Sequence, residues 1–280
     1  MNGSLTKIEP STQLSALVWR ILGANPSPFT LQGTNTYLIG NGKKRILIDT
    51  GEEKISAYIS ELQKVLGDNE ISSIICTHWH GDHVGGVDDV LKKVVHKDIP
   101  VYKLKEPGKH DPVYQYIEDG QVFQTEGATL RVFATPGHTM DHISLYLEEE
   151  GTVFSGDCIL GEGTTIFEDL HLYMQSLQKI LDRKPKRIYP GHGPVVEDPL
   201  KKITEYMSHR NARENQILDA IKNKGVASVT DIVGAVYATT RWSLMLGAMN
   251  NVNQHLTKLI KEDRIERTGE GYQIKKAALA

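Results

Sequence analysis

The chain is short of cysteine and of long apolar runs, and each shortage removes a class of protein. Two cysteines, Cys76 and Cys158, stand among 280 residues. Two thiols cannot build a disulfide framework, so a small secreted scaffold is excluded and a reducing compartment is expected. Both lie in apolar stretches and are expected to pack as buried side chains. The longest apolar runs, such as Ile71–Cys76, fall far short of the ~20 residues that a membrane-spanning helix requires, so no membrane partner is expected. An excess of one charge is also missing: 32 basic residues face 35 acidic ones, a net of −3. With 39% hydrophobic and 24% charged residues, the composition is that of an ordinary globular chain. Met1–Arg20 has no apolar stretch of the kind a secretory signal needs, and its Glu9 beside Lys7 and Arg20 makes a poor mitochondrial transit peptide. No internal repeat or low-complexity tract is present.

The length suits one large domain and one small one. Through residue 200, short apolar runs alternate with amphipathic stretches. Thr36–Gly40, Arg45–Asp49, Ser73–Thr77, Leu130–Thr135, Ser144–Glu148, Thr152–Ser155 and Arg187–Tyr189 read as strands. Ile55, Ile59, Leu62 and Leu66 line one face of a helix, and Leu170, Met174, Leu177 and Leu181 line another. Strands interleaved with helices predict a layered α/β domain over residues 1–199. After Pro199 the pattern becomes helical: Leu200–Lys224, Val229–Ala238 and about Met249–Lys261. Arg264–Arg267 and Tyr272–Ile274, joined by a turn at Gly269–Gly271, follow as a small hairpin. Residues 200–280 therefore read as a helical, winged-helix-like domain. Its net charge is +5, against −8 for residues 1–199, which points to an anionic partner or to a solvated helical face.

The chemistry concentrates in Thr77-His78-Trp79-His80-Gly81-Asp82-His83, directly after an apolar strand. Four candidate metal ligands within six residues are far more than chance placement supplies. Three more follow, each just past a strand: His138 in Ala-Thr-Pro-Gly-His-Thr, Asp157 in Phe-Ser-Gly-Asp, and His192 in Tyr-Pro-Gly-His-Gly. Glycines beside them permit the sharp turns that bring side chains from separate strands to one point.

This pattern, His-x-His-x-Asp-His followed by single His, Asp and His, resembles the signature of the metallo-beta-lactamase superfamily, and the match spans nearly the whole first domain. The resemblance implies an αββα sandwich with metals at one edge of the sheets and a C-terminal winged helix. It implies that His78, His80 and His138 hold one zinc, that Asp82, His83 and His192 hold the other, and that Asp157 bridges them. Asp49, in Leu-Ile-Asp-Thr-Gly, matches the aspartate that steadies the ligand loop without binding metal. Two zinc ions per chain are expected, although iron or manganese suits the same ligands. Two cations about 3.5–4 Å apart lower the pKa of a bridging water toward ~7 and so supply a hydroxide nucleophile. Asp82 is then expected to orient that hydroxide.

The superfamily acts on lactams, thioesters, lactones and phosphodiesters, so its core motif does not name the substrate. Leu31–Tyr37, Gly161–Leu170, Ser208–Arg210 and Thr135–His142 closely resemble an animal branch of the superfamily. That resemblance implies a zinc-dependent endoribonuclease for single-stranded RNA, in the mitochondrial matrix, with the cytoplasm as the alternative. No preference for DNA is inferred. Fungal polyketide thioesterases share much of the same framework and give the rival reading, with glyoxalase-II-like thioesterases more distant. A non-catalytic RNA-binding module is a third reading. His142 is either a proton donor to the leaving group or an outer hydrogen bond that orients a ligand. His209 and Arg210 are candidates for gripping a phosphate, or are surface residues pairing with the body. Lys258, Lys261 and Arg264 could follow an RNA backbone, or form an ordinary solvated face.

Overall fold

Alternation of side chains along the strands gives each sheet two buried faces. The structure, a computed structural model, describes residues 5–239 and 245–275. Its first sheet contains β1 (Ser11–Gln13), β2 (Val18–Leu22), β3 (Asn35–Ile39), β4 (Lys44–Ile48), β5 (Glu70–Cys76), β6 (Val101–Leu104) and β7 (Gln115–Ile117), in that spatial order. Strands β1 to β4 are antiparallel, and β4 to β7 are parallel. The second sheet contains β8 (Val122–Thr125), β9 (Ala128–Ala134), β10 (Ile143–Leu147), β11 (Thr152–Gly156) and β12 (Arg187–Pro190).

The two sheets face each other across one core. Ile46 and Ile48 of β4 enter it with Tyr37 and Ile75, opposite Leu130, Leu145 and Phe154. Leu47, between the two isoleucines, points the other way, against Tyr58, Ile59, Leu62 and Leu66 of helix α1 (Ser56–Leu66). Val87 and Val90 of the short helix α3 (Val87–Val90) close that outer layer; α3 follows α2 (Gly81–Val84) and runs into a π-helical turn, Leu91–Val95. The outer face of the second sheet packs Phe133, Val153 and Ile188 against Leu170, Tyr173, Leu177 and Ile180 of α4 (Leu170–Asp182). Four layers result, an αββα sandwich, as the resemblance implied.

Helix α5 (Pro199–Lys224) starts with proline at its first turn and an Asp198 side chain that accepts from the Lys201 amide, two features that favour helix initiation. Its first half joins the sandwich through Ile203 and Tyr206. Its second half sends Ile217 and Ile221 into a separate core with α6 (Val229–Val236), α7 (Met245–Lys261) and the hairpin of β13 (Ile265–Arg267) and β14 (Tyr272–Ile274). This is a winged-helix domain, and α5 belongs to both cores. No described helix is long and apolar enough to cross a membrane.

All seven expected strands are present, with ends shifted by up to three residues. The sequence reading lacked β1, β2, β6, β7 and β8. β6 was hidden by Lys103, which is buried on it and paired with Asp141. β7 and β8 carry exposed or half-exposed positions and lie at sheet edges, where the apolar alternation fades. The buried face of α4 is also rotated from expectation: Tyr173 and Ile180 lie at its centre, and Met174 and Leu181 at its margin.

Candidate metal centre

Each candidate ligand sits at the C-terminal end of a strand, and these ends share one edge of the sandwich. β5 releases His78 and His80, and the following helix α2 carries Asp82 and His83. His138 follows β9, Asp157 follows β11, and His192 follows β12. Two glycines make the approach possible. A Cβ on Gly137, whose φ is +133°, would fall 2.4 Å from the Tyr173 backbone, and one on Gly191 would fall 2.3 Å from Asp157 Oδ1.

Two groups form. His78, His80, His138 and Asp157 converge, as do Asp82, His83 and His192, with ligand atoms in each group within 4.8 Å of one another. His80 Nδ1 lies 3.0 Å from His78 Nε2 and 3.1 Å from His138 Nε2. His192 Nε2 lies 3.3 Å from His83 Nε2 and 3.1 Å from Asp82 Oδ2. Asp157 stands between the groups, with Oδ2 3.6 Å from His138 Nε2 and 3.3 Å from His192 Nε2.

Outer hydrogen bonds decide which ring nitrogens face inward. A carboxylate can only accept, so His83 Nδ1–H donates to Asp49 Oδ2 at 2.8 Å. Thr77 donates its hydroxyl to the same carboxylate at 2.9 Å, which leaves its oxygen to accept from His78 Nδ1–H at 3.0 Å. His138 Nδ1–H donates to the Ile166 carbonyl at 2.8 Å. The Nε2 atoms of these three rings therefore present lone pairs to the centre, the arrangement by which outer acceptors fix metal-binding imidazoles. Asp49 also accepts from the Thr77 amide at 2.7 Å. Its backbone is left-handed, φ 59°, a conformation that aspartate tolerates better than most residues.

This donor set fits divalent cations. The lone pairs of three rings converge on the centre, and among the described residues Asp157 Oδ1 is buried without a hydrogen-bond partner. A tetrahedral ion about 2.0–2.1 Å from each nitrogen sets neighbouring nitrogens roughly 3.3 Å apart, close to the separations seen. The electrostatics agree. Burial pushes the Asp82 and Asp157 carboxyls up, yet the imidazoles of His83 and His192 outweigh it and hold both well below the usual carboxylate range. Burial pushes His192 down, but Asp157 and Asp82 raise it to about 9, and His83 is raised by Asp157, Asp49 and Asp82 against its own burial. The carboxylates hold positive charge here: protons when metal is removed, cations when it is bound.

A model of the metallo-beta-lactamase superfamily matches residues 29–192, and one of the beta-lactamase-associated winged helix domain matches residues 228–274. The chain belongs to the metallo-beta-lactamase superfamily. It is 52% identical over 268 residues to the beta-lactamase-like protein 2 homolog of Caenorhabditis elegans, covering 94% of this chain and 90% of that protein. It is 40% identical over 261 residues to an atrochrysone carboxyl ACP thioesterase of Aspergillus chevalieri, covering 90% and 83%. A beta-lactamase domain protein from Burkholderia ambifaria shares the fold, with TM-score 0.79 at 19% identity over 95% of this chain and 93% of the other. The protein is thus a metallo-beta-lactamase superfamily hydrolase whose His/Asp cluster is consistent with a binuclear metal site.

On three points the sequence left two roles open, and the geometry decides against the catalytic or phosphate-binding one. His142 is fully buried behind the centre: Nδ1 pairs with Thr135 Oγ1 at 2.8 Å, and Nε2 accepts from the Asp157 amide at 3.0 Å. Burial, then the neighbouring His138, hold it neutral. With both nitrogens engaged it cannot reach a leaving group; it holds Asp157 in place. Arg210 is no free phosphate grip either. It is buried, bonded to Thr164 Oγ1 at 2.5 Å and to the Thr165 carbonyl at 3.2 Å, over the Phe167 ring. His209 is exposed and lies outside the residues that line the metal cleft. The proposed basic face is also paired internally: Lys258 and Arg264 with Glu214, and Lys261 with Asp169.

The sequence reading missed the hydroxyls that orient the centre. Thr77, Thr135 and Thr165 contact His78, His142 and His138, and Thr34 lies 3.2 Å from Asp82 Oδ2. All four stand inside or beside the motif blocks, which was the only available signal. It also missed the walls of the cleft, about 480 Å³, where Phe29, Leu31, Leu160 and Ile166 flank His80, Asp82, His138, Asp157 and His192.

Proposed function

We propose that the protein is a zinc-dependent endoribonuclease that hydrolyses phosphodiester bonds of single-stranded RNA. The observation that carries this reading is the form of the cleft. It is open, and Phe29, 76% exposed, stands on its rim with the exposed Ile166, beside both ligand groups. A flexible strand can lay a phosphate at the metals while an unstacked base rests on the aromatic ring, an interaction worth about 1–3 kcal/mol per base. The likeness to the worm protein, from the animal branch with which the sequence resemblance links RNA cleavage, exceeds the likeness to the fungal thioesterase.

His78, His80 and His138 would hold one ion, Asp82, His83 and His192 the other, with Asp157 shared. Imidazole-rich sets of this kind suit zinc. Bound there, two divalent ions lower the pKa of water and neutralise charge that develops on a phosphoryl oxygen. The chain's own groups then position and exclude. Asp82, partly exposed to the cleft and held ionised by His83 and His192, accepts a hydrogen bond from the attacking water and aims it. Asp49 and His142 keep the ligand loops in register from behind. Leu31, Leu160 and Ile166 shed water from one wall.

The rival reading, acyl thioester hydrolysis, draws on the fungal relative and on the same apolar wall, which an acyl chain would suit. A side-by-side assay of purified protein on a single-stranded RNA and an acyl thioester, each with and without chelator, separates the two. RNA should be cut, the thioester should persist, and chelator should stop cleavage. Thioester hydrolysis with intact RNA would overturn the proposal.

A further inference from the structure

Arg210 is buried on α5, and among the described residues it has no carboxylate within 4 Å and its Nε has no hydrogen-bond partner. A buried charge without a counter-charge is costly. An apolar side chain would fill the same volume at lower free energy, so packing alone does not account for an arginine here. Both of its hydrogen bonds go to one segment, and the Tyr173 side chain of α4 is its other polar neighbour. Nη2 donates to Thr164 Oγ1 and the Thr165 carbonyl, and the guanidinium lies 5.0 Å from the Phe167 ring centroid.

That segment supplies the outer partners of His138. The Ile166 carbonyl accepts from His138 Nδ1 at 2.8 Å, and Thr165 Oγ1 lies 3.2 Å from the same nitrogen. The segment is held from its other end by α7. Gln254 Nε2 donates to the Glu168 carbonyl at 2.7 Å, its Oε1 accepts from the Leu170 amide at 3.3 Å, and Lys261 pairs with Asp169 at 2.5 Å. The Glu168 amide in turn donates to the Gly137 carbonyl, beside His138.

We infer that Arg210 is a positioning residue for His138, and that the C-terminal helices act as a brace on residues 164–169. Through this brace they fix the imidazole that completes the His78–His80–His138 group. The winged-helix domain thereby has a role in assembling the metal centre that does not depend on its touching a substrate. The inference holds for either substrate class, because it concerns the ligand group and not what is cleaved.

Zinc titration against a competing chelator tests it. Wild-type protein should take two tight equivalents. Arg210→Ala, which loosens the outer partners of His138 without removing them, should keep one and bind the other more weakly, by no more than the roughly 10–100-fold that losing an outer partner outright costs. Arg210→Lys, which keeps a donor at shorter reach, should recover part of the loss. Combining Arg210→Ala with His138→Ala should leave the tight equivalent in place, whereas combining it with His192→Ala should remove it. A packing role would weaken both equivalents together and lower the unfolding temperature in proportion. Gln254→Ala, which loosens the other end of the brace without opening a core, should shift the same equivalent in the same direction. It serves if Arg210→Ala does not fold. Two equivalents at wild-type affinity in both variants, or equal weakening of the two, would overturn the inference.

Discussion

At the residue scale, two aspartates with similar neighbours differ in exposure, and the proposed function gives them different tasks on that ground. Asp157 lies between the two ligand groups, almost buried, with one oxygen unpartnered. Asp82 shares His83 and His192 as neighbours and is the more exposed of the two to the cleft that both line. Asp82→Asn removes a charge and keeps the shape. Turnover should fall by roughly 10²–10⁴-fold, the range for a positioned acid–base group, while the fold survives. Steady-state kinetics with circular dichroism on the same sample would check this, and near wild-type turnover would remove Asp82 from the chemistry. These aspartates and the five candidate ligand histidines were legible in the sequence, because ligand-type residues beside glycine after strands are conspicuous. The threonine hydroxyls were not. Threonine is common, and only the position of its partner, such as Asp49 beside Thr77, distinguishes an orienting hydroxyl from a surface one.

At the element scale, the site depends on turns more than on strands. The turn after β9 must pass against the first turn of α4, and Gly137 is the point of contact. Gly137→Ala would combine an unfavourable backbone conformation with a clash against backbone that cannot rotate away. A loss of stability on the order of 2–4 kcal/mol is expected, together with reduced metal content, since His138 is the next residue. Thermal unfolding and elemental analysis would report both. A variant with normal stability and full metal would show that the turn has room to adjust. The glycine was visible in the sequence as a turn former. Its neighbour Tyr173 was not, because the expected face of α4 ran through Met174 and Leu181 instead. Helix periodicity fixes which residues share a side, but the packing partner selects the centre of that side, and here the second sheet and α5 select Tyr173 and Ile180.

At the scale of the whole molecule, stability and metal occupancy are linked through charge. Without metal, His192 has a pKa near 9, whereas in the unfolded chain it titrates near ~6.5. The folded form therefore keeps a proton that the unfolded form releases. The resulting stabilisation is complete below about pH 6.5 and is lost as pH rises through about 9. Chelated protein should show an unfolding temperature that declines across this window. Metal-loaded protein should not show that decline, because the cation takes the proton's place. Parallel profiles with and without chelator would uncouple His192 from the metals. The C-terminal domain is the part where sequence and structure diverge most. Its helices and hairpin were readable from periodicity and turn residues, and its net charge of +5 suggested a surface for an anion. In the folded chain Lys258, Lys261 and Arg264 neutralise Glu214 and Asp169, and Arg210 faces the site loop. The sequence alone determined the family, the layered fold and the seven candidate ligand positions that the structure brings together, because strand alternation and ligand spacing are local patterns. Only the tertiary structure decided that His142 bonds to the Asp157 amide, that Arg210 bonds to the loop behind His138, and that the basic residues serve internal pairs. Each of those roles depends on a partner 15 to 92 residues away, and local spacing carries no information about which distant side chain a charge or a ring will meet.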